Sequence, residues 1–257
     1  FQRIKWKMFH EGALVILLGC FTLTLGHGHH AHTQEEQPIW TYQCTDRGCA
    51  KVPATENNTW QSLEVCKLLC TEFAALWPKP TGQINISSNT LMLNRYSIDI
   101  ELMMGSPRVV NEKSRNLLYQ MGDLFKQHIN DKFYEEEAGK TVRGCSLTIY
   151  MNIENPDIVS FAQNVNESYK LITKLAPDGR MNATIIAPTL FGARHGLETL
   201  EQLIVYDSVS RSMVMPSQVY IEDAPFYPYR GILLDTARNF ISVPVIERTI
   251  DAMAANK

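Results

Sequence analysis

Three charged residues near the end of the 257-residue chain have the types and spacing to do chemistry. Arg230 precedes the apolar run Gly231-Ile232-Leu233-Leu234, and Asp235 and Arg238 follow it. A continuous apolar run is expected of a strand buried on both faces in a parallel sheet. Titratable groups at the carboxyl end of such a strand fit an α/β ligand site. They equally fit an ion pair that only orients the loop into the next helix. Two-residue alternation puts Arg230, Ile232 and Leu234 on one side, with Gly231, Leu233 and Asp235 on the other. In a barrel one of those sides faces the interior, and an arginine there needs an anionic or hydroxyl-rich partner. The residues alone reach as far as a polar ligand site.

Other constellations are weaker. The chain contains no H-E-x-x-H, no G-x-S-x-G and no Walker loop. Gly26-His27-Gly28-His29-His30-Ala31-His32 has glycines as in a dinucleotide fingerprint, but no strand precedes it and no helix follows. Its histidines could bind a metal, but the preferred reading is a flexible segment at a processing site. No metal and no cofactor are expected. Glu135-Glu136-Glu137 reads as a solvated helix end or loop. His128, on an otherwise apolar helix face, reads as a core-edge residue.

Cysteine use depends on the compartment, and the N-terminus speaks to that. Arg3, Lys5 and Lys7 precede an apolar run from Ala13 to Leu25, and small residues follow at Gly26, Gly28 and Ala31. This is the order of a signal peptide, and the run is shorter than the ~20 residues that span a bilayer. A signal peptide over residues 1–31 is therefore expected, with a membrane anchor as the alternative and Met8 as a candidate start. Sequons at Asn57, Asn85, Asn166 and Asn182 agree with export and mark glycosylation sites. In an exported protein Cys44, Cys49, Cys66 and Cys70 read as two disulfides rather than a zinc site. Three connectivities are open. Cys145 is either a buried thiol or the partner of a residue beyond Lys257. Secretion is expected, with membrane anchoring or a lysosomal location as alternatives.

The elements that must position these residues follow from periodicity. Leu63, Cys66, Cys70 and Phe73 share one helix face, which points both cysteines inward. Trp77 to Gly82 reads as a linker. Alternating strands are predicted at Ile98–Met104 and Leu147–Ile153, and further strands at Tyr169–Leu175, Thr184–Ala187 and Val214–Ile221. Pro216 pushes the last one to an edge or bulge. Leu117, Leu118, Met121, Leu124, Phe125 and His128 mark one helix, and Leu190, Ala193, Leu197, Leu200 and Ile204 a second. Strands interleaved with helices suggest an α/β sheet with helices packed on it. After Pro225 and Pro228 the apolar run and a helix, capped at Ser242 with Pro244 in its first turn, make one β/α unit. A lone parallel strand cannot form a sheet, so its partners are expected beyond Lys257.

Phe226-Tyr227-Pro228-Tyr229-Arg230-Gly231-Ile232-Leu233-Leu234-Asp235-Thr236-Ala237-Arg238-Asn239-Phe240 closely resembles the start of the catalytic barrel in the family-20 glycoside hydrolases, the β-N-acetylhexosaminidases. Phe191-Gly192-Ala193-Arg194-His195-Gly196-Leu197-Glu198-Thr199-Leu200-Glu201-Gln202-Leu203 looks like the helix before that barrel. The cysteine segment, with Leu76-Trp77-Pro78-Lys79-Pro80-Thr81-Gly82, is similar to the insect chitinolytic members. The resemblance covers residues 40–257. It implies a zincin-like α/β N-terminal domain without zinc, followed by the first β/α unit of a (β/α)8 barrel. The implied divisions are 1–31 for the signal, 32–82 for the cysteine-bearing segment and linker, 83–225 for the α/β domain and 226–257 for the barrel start. It makes Arg230 a substrate-binding residue that donates to hydroxyls of a terminal N-acetylglucosamine, with Asp235 and Arg238 supporting the pocket.

The family's mechanism is substrate-assisted, with the 2-acetamido oxygen attacking its own anomeric carbon. An adjacent Asp-Glu pair orients the acetamide and protonates the leaving oxygen. No pair matching that motif occurs in the chain. A full barrel takes about 250 residues, so the chain is expected to be an N-terminal fragment, inactive alone. The leading function is removal of terminal N-acetylglucosamine from chitooligosaccharides or N-glycans, and the alternative is a secreted, non-catalytic binding or interaction protein. Expected partners are such oligosaccharides, a membrane only if the apolar N-terminus is retained, and a second copy if the protein dimerises as the family often does. The formal net charge of −3 offers no electrostatic reason for nucleic-acid binding.

Overall fold

The computed structural model describes residues 38–57, 59–103, 111–132, 144–162 and 164–257. The N-terminal apolar run, the histidine segment, Met104 and the Glu135–Glu137 patch lie outside the described residues. Among the described residues no helix is long and apolar enough to cross a membrane.

A small disulfide-bonded lobe comes first. Strands β1 (Trp40–Thr45) and β2 (Gly48–Pro53) pair antiparallel, with Gly48 at a positive φ of 102° in the turn. Helix α1 (Leu63–Cys70) starts at Ser62, whose hydroxyl accepts the Val65 N–H at 3.3 Å. Cys44 bonds Cys70 and Cys49 bonds Cys66. Cys44 and Cys49 are cross-strand partners, yet each reaches across to the helix. Cys66 and Cys70 lie one turn apart on the same helix face, so both meet the hairpin together.

The main sheet has eight strands. They are β3 (Ile84–Ile86), β4 (Thr90–Met103), β5 (Cys145–Asn155), β6 (Tyr169–Leu175), β7 (Met181–Thr189), β8 (Val205–Asp207), β9 (Ser212–Pro216) and β10 (Val219–Asp223). Their spatial order is β3-β10-β6-β7-β5-β4-β9-β8. The pairs β4–β5 and β5–β7 are parallel and the flanking pairs antiparallel. Alternate residues Leu147, Ile149, Met151 and Ile153 of β5, and Met181, Ala183, Ile185 and Ala187 of β7, are buried. Helices α2 (Glu112–Asp131) and α3 (Leu190–Gln202) contribute to the same core.

The structure departs from the periodicity in three places. First, the predicted strand Val214–Ile221 is two strands. Pro216 ends β9, and after Ser217 and Gln218 β10 begins towards the other end of the sheet. Ser87 N–H donates to Gln218 O at 2.9 Å and Ser217 N–H to Asn89 O at 2.8 Å. These bonds tie the turn between β3 and β4 to the turn between β9 and β10, linking the β3–β10 and β4–β9 ladders at that point.

Second, α2 buries Ser114, Leu118, Gly122, Phe125 and Ile129, while Leu124 is 48% exposed. The buried stripe runs over Gly122, where a Cβ would stand 3.2 Å from Ile100 Cδ1. Leu118 and Phe125 of the predicted face are buried and Leu117 and Met121 pack on the core, while close approach at Gly122 draws Ser114 and Ile129 into the stripe and leaves Leu124 outside it. Third, Gly231–Leu234 forms no strand and pairs with none among the described residues, and Leu233 is 96% exposed. A parallel strand needs neighbours to bond its backbone. Helix α4 (Val243–Ala255) follows, with Ser242 at its N-cap position but without a side-chain cap bond, and none of its residues is buried.

Candidate functional site at the junction of sheet and C-terminal segment

A cavity of about 1360 Å³ opens between the sheet domain and residues 228–257. Glu167, Arg194, His195, Tyr229, Arg230 and Met253 are among its lining residues. One wall is built where α3 begins. Thr189 caps that helix by accepting the Gly192 N–H at 3.4 Å, and its hydroxyl donates to Asn166 O at 2.6 Å. A Cβ at Gly192 would stand 2.2 Å from Ser168 O, so only glycine lets the helix start press on the 166–168 loop. That contact brings His195, one turn on, against Glu167.

Glu167 is the charge centre of this wall. Its Oε2 accepts hydrogen bonds from His195 Nε2 at 2.8 Å and from Arg230 Nη2 at 2.5 Å. Glu167 is 5% exposed and His195 7%. Burial pulls the His195 pKa from 6.5 down to about 4, against the opposing pull of the Glu167 hydrogen bond. The geometry agrees, because Nδ1 is buried without a protein partner and a protonated ring would strand an N–H there. The ring is neutral, with its proton on Nε2 aimed at the carboxylate. Arg230 supplies the cation that offsets the buried charge.

Arg230, the substrate-binding residue expected from sequence, therefore lines the cavity while held by protein groups. Besides Glu167, Nη1 donates to Tyr227 O at 2.7 Å and Nε to Lys257 O at 2.8 Å. Part of its guanidinium fork is left unused by these bonds. Asp235 and Arg238 lie outside the cavity lining and pair with each other. Asp235 Oδ1 also accepts the N–H groups of Arg238 at 3.2 Å and Ala237 at 3.0 Å, and these bonds hold its carboxyl below the usual range. The pair orients the turn into α4.

A second buried cluster lies beside the first. Lys257 Nζ donates to Asp223 Oδ2, Tyr169 OH and Thr199 Oγ1, each at 2.8 Å. Burial pulls the Lys257 amine below its ordinary value. Asp223 is half-buried, which opposes ionisation, but the Lys257 ammonium, with the Thr81 N–H and the Tyr169 hydroxyl, holds the carboxyl below its ordinary value. Trp77 Nε1 donates to Asn256 Oδ1 and Arg194 Nη1 to Ala254 O, so the end of α4 is the part docked on the domain. The expected linker is docked as well: Trp77 N–H donates to Gln202 Oε1 at 2.8 Å and Thr81 N–H to Asp223 Oδ1 at 3.0 Å.

Cys49, Cys66 and Cys70 gather their sulfurs within 4.8 Å, but all three are in disulfides and offer no thiolate to a metal. Cys145 is a free, half-buried thiol whose Sγ donates to Met92 O at 3.2 Å, and burial raises its pKa. Asn57, Asn85 and Asn166 are exposed, whereas Asn182 is half-buried in β7 with its Oδ1 covered.

Residues 76–203 match the family model described as "beta-acetyl hexosaminidase like". Residues 227–257 match "Glycosyl hydrolase family 20, catalytic domain". The chain belongs to glycoside hydrolase family 20. It is 39% identical over 244 residues to the chitooligosaccharidolytic beta-N-acetylglucosaminidase of Bombyx mori, a match covering 94% of this chain and 38% of that protein. It is 37% identical over 226 residues to the protein of the same name from Ostrinia furnacalis, covering 86% of this chain and 36% of the relative. The chain thus spans well under half the length of these relatives. A Flavobacterium johnsoniae chitobiase structure aligns with a TM-score of 0.48 and 24% identity, covering 70% of this chain and 25% of that one.

The catalytic-domain match begins at Tyr227, three residues before Arg230. Sequence reading found Arg230 in this family-20 chain but missed Glu167, His195, Asp223 and Lys257. Glu167 was hidden inside the Asn166 sequon. His195 left a usable signal: an ionisable side chain between Ala193 and Gly196, where the helix has only small residues to pack.

Proposed function

We propose that the full-length protein is an exo-acting β-N-acetylhexosaminidase that removes terminal N-acetylglucosamine, with chitooligosaccharides as the leading substrate and N-glycans as the second. The observation that carries this is the position of Arg230, in the cavity wall at the start of the stretch matched to the family-20 catalytic domain. The names of the two insect relatives support the choice of substrate. On this reading Arg230 donates its unused N–H groups to neighbouring hydroxyls of the terminal sugar, and Asp235 and Arg238 hold the turn that flanks it. The acetamide of the substrate serves as nucleophile, as in the substrate-assisted exception among retaining glycosidases. The acid and its partner carboxylate are supplied by later residues of the barrel. Residues 32–82, 83–225 and 226–257 act as disulfide lobe, supporting domain and barrel start. The protein is exported through its N-terminal signal and glycosylated.

The test is a chromogenic N-acetylglucosaminide, assayed with the product of the full coding sequence and with the 257-residue chain. Turnover by the first and none by the second is expected. Turnover by the 257-residue chain overturns the placement of the chemistry downstream, and an inactive full-length product overturns the enzyme reading.

A further inference from the structure

We infer that Glu167 and His195 are positioning residues for Arg230 and so set how tightly the terminal sugar is held; this rests on the role of Arg230 proposed above. Arginine has a long side chain with much rotamer freedom, and a hydroxyl-binding arginine gains from being held in place before the sugar arrives. Here a single carboxylate oxygen, Glu167 Oε2, holds one arm of the fork. The carbonyl of Tyr227 holds the other. Glu167 and His195 are both buried, so water has little access to the carboxylate end of the Arg230 contact.

His195 fixes the carboxylate itself. Its Nε2 donates to the same oxygen that Arg230 uses, and its bare Nδ1 leaves the ring one direction in which to donate. The helix that carries His195 is seated on the Glu167 loop by Gly192 and Thr189. A loop and a helix of the N-terminal domain thereby contact the catalytic-domain match and set one of its side chains. This gives the N-terminal domain a part in substrate affinity as well as in support.

In the full-length protein, Glu167→Gln replaces the carboxylate acceptor of Arg230 with a neutral amide oxygen and is expected to raise KM for the chromogenic substrate about tenfold, with kcat within about twofold. That split follows if Arg230 binds non-reacting hydroxyls equally in ground and transition states. His195→Phe deletes the donor and is expected to raise KM in the same direction. His195→Gln keeps an N–H at similar reach and is expected to recover most of the loss. Unchanged KM in Glu167→Gln, or equal losses in the two His195 variants, overturns the positioning role. A second measurement needs no turnover: a double-mutant cycle of Glu167→Gln and Arg230→Gln read on the thermal midpoint of the full-length protein. The paired substitutions are expected to cost less than the sum of the single ones. Additive midpoints overturn the anchoring contact, whereas an inactive wild-type protein overturns the sugar-holding role and the proposed function with it.

Discussion

His195 is the residue whose surroundings change its chemistry most clearly. Its folded pKa is about 4, below the 6.5 of an exposed ring. Between those values the unfolded chain binds a proton that the folded chain refuses, so stability falls as pH drops through this window. The loss is on the order of 3 kcal/mol by pH 4, from the size of that difference. Arg194 and Lys257 face the ring and strengthen the effect, and Glu167 weakens it. Urea midpoints measured from pH 7 to pH 4 are expected to fall, and His195→Gln is expected to flatten the slope. A slope unchanged by that substitution would show that another group governs acid sensitivity. Local spacing made Asp235 and Arg238 legible, because residues three apart at a strand-to-helix turn can meet without help from the fold. Glu167 was illegible for the opposite reason: its contact with Arg230 spans 63 positions.

At the scale of elements, the start of α3 depends on Gly192. Gly192→Ala puts a methyl group into Ser168 O and must push the helix off the loop. A cost of roughly 1–3 kcal/mol is expected for such overpacking, read as a lowered thermal midpoint, with KM rising in parallel if the Glu167 anchor moves. The disulfide lobe makes a separate claim. Replacing Cys49 and Cys66 together with serine opens a link with a sequence separation of 17 and is expected to cost about 3 kcal/mol in urea unfolding. Sequons can be ranked in the same way. A glycan on Asn182 would have to grow from a central strand whose amide oxygen is covered, whereas Asn57, Asn85 and Asn166 are exposed. Glycopeptide mapping of the secreted protein is expected to find Asn182 unoccupied, and a glycan there would contradict the packing of β7.

At the scale of the whole molecule, about half of the exposed large apolar side chains among the described residues lie in the C-terminal segment. Phe226, Tyr229, Leu233 and Phe240 are all exposed, close together in sequence. A patch of this kind drives association when nothing covers it. The 257-residue chain is therefore expected to self-associate at micromolar concentration in sizing with light scattering. Leu233→Asp combined with Phe240→Asp is expected to return it toward the monomer. An unchanged mass distribution in that variant would place the contact elsewhere.

Strand periodicity, the apolar stripe of α3, the cysteine cluster and the motif around Arg230 could be read from the chain because each depends on neighbours a few residues away. Two-residue and 3.6-residue repeats, and charges flanking an apolar run, are local properties. The disulfide pairing, the break of the sheet strand after Pro216, the close approach of α2 at Gly122 and the Glu167–His195–Arg230 contact were decided only by the tertiary structure. Each of these joins segments distant in sequence, and close packing fixes which side chains meet. Arg230 was legible as a ligand-binding candidate from its own motif. What holds Arg230 in place lies in a loop and a helix that come together only once the sheet has formed.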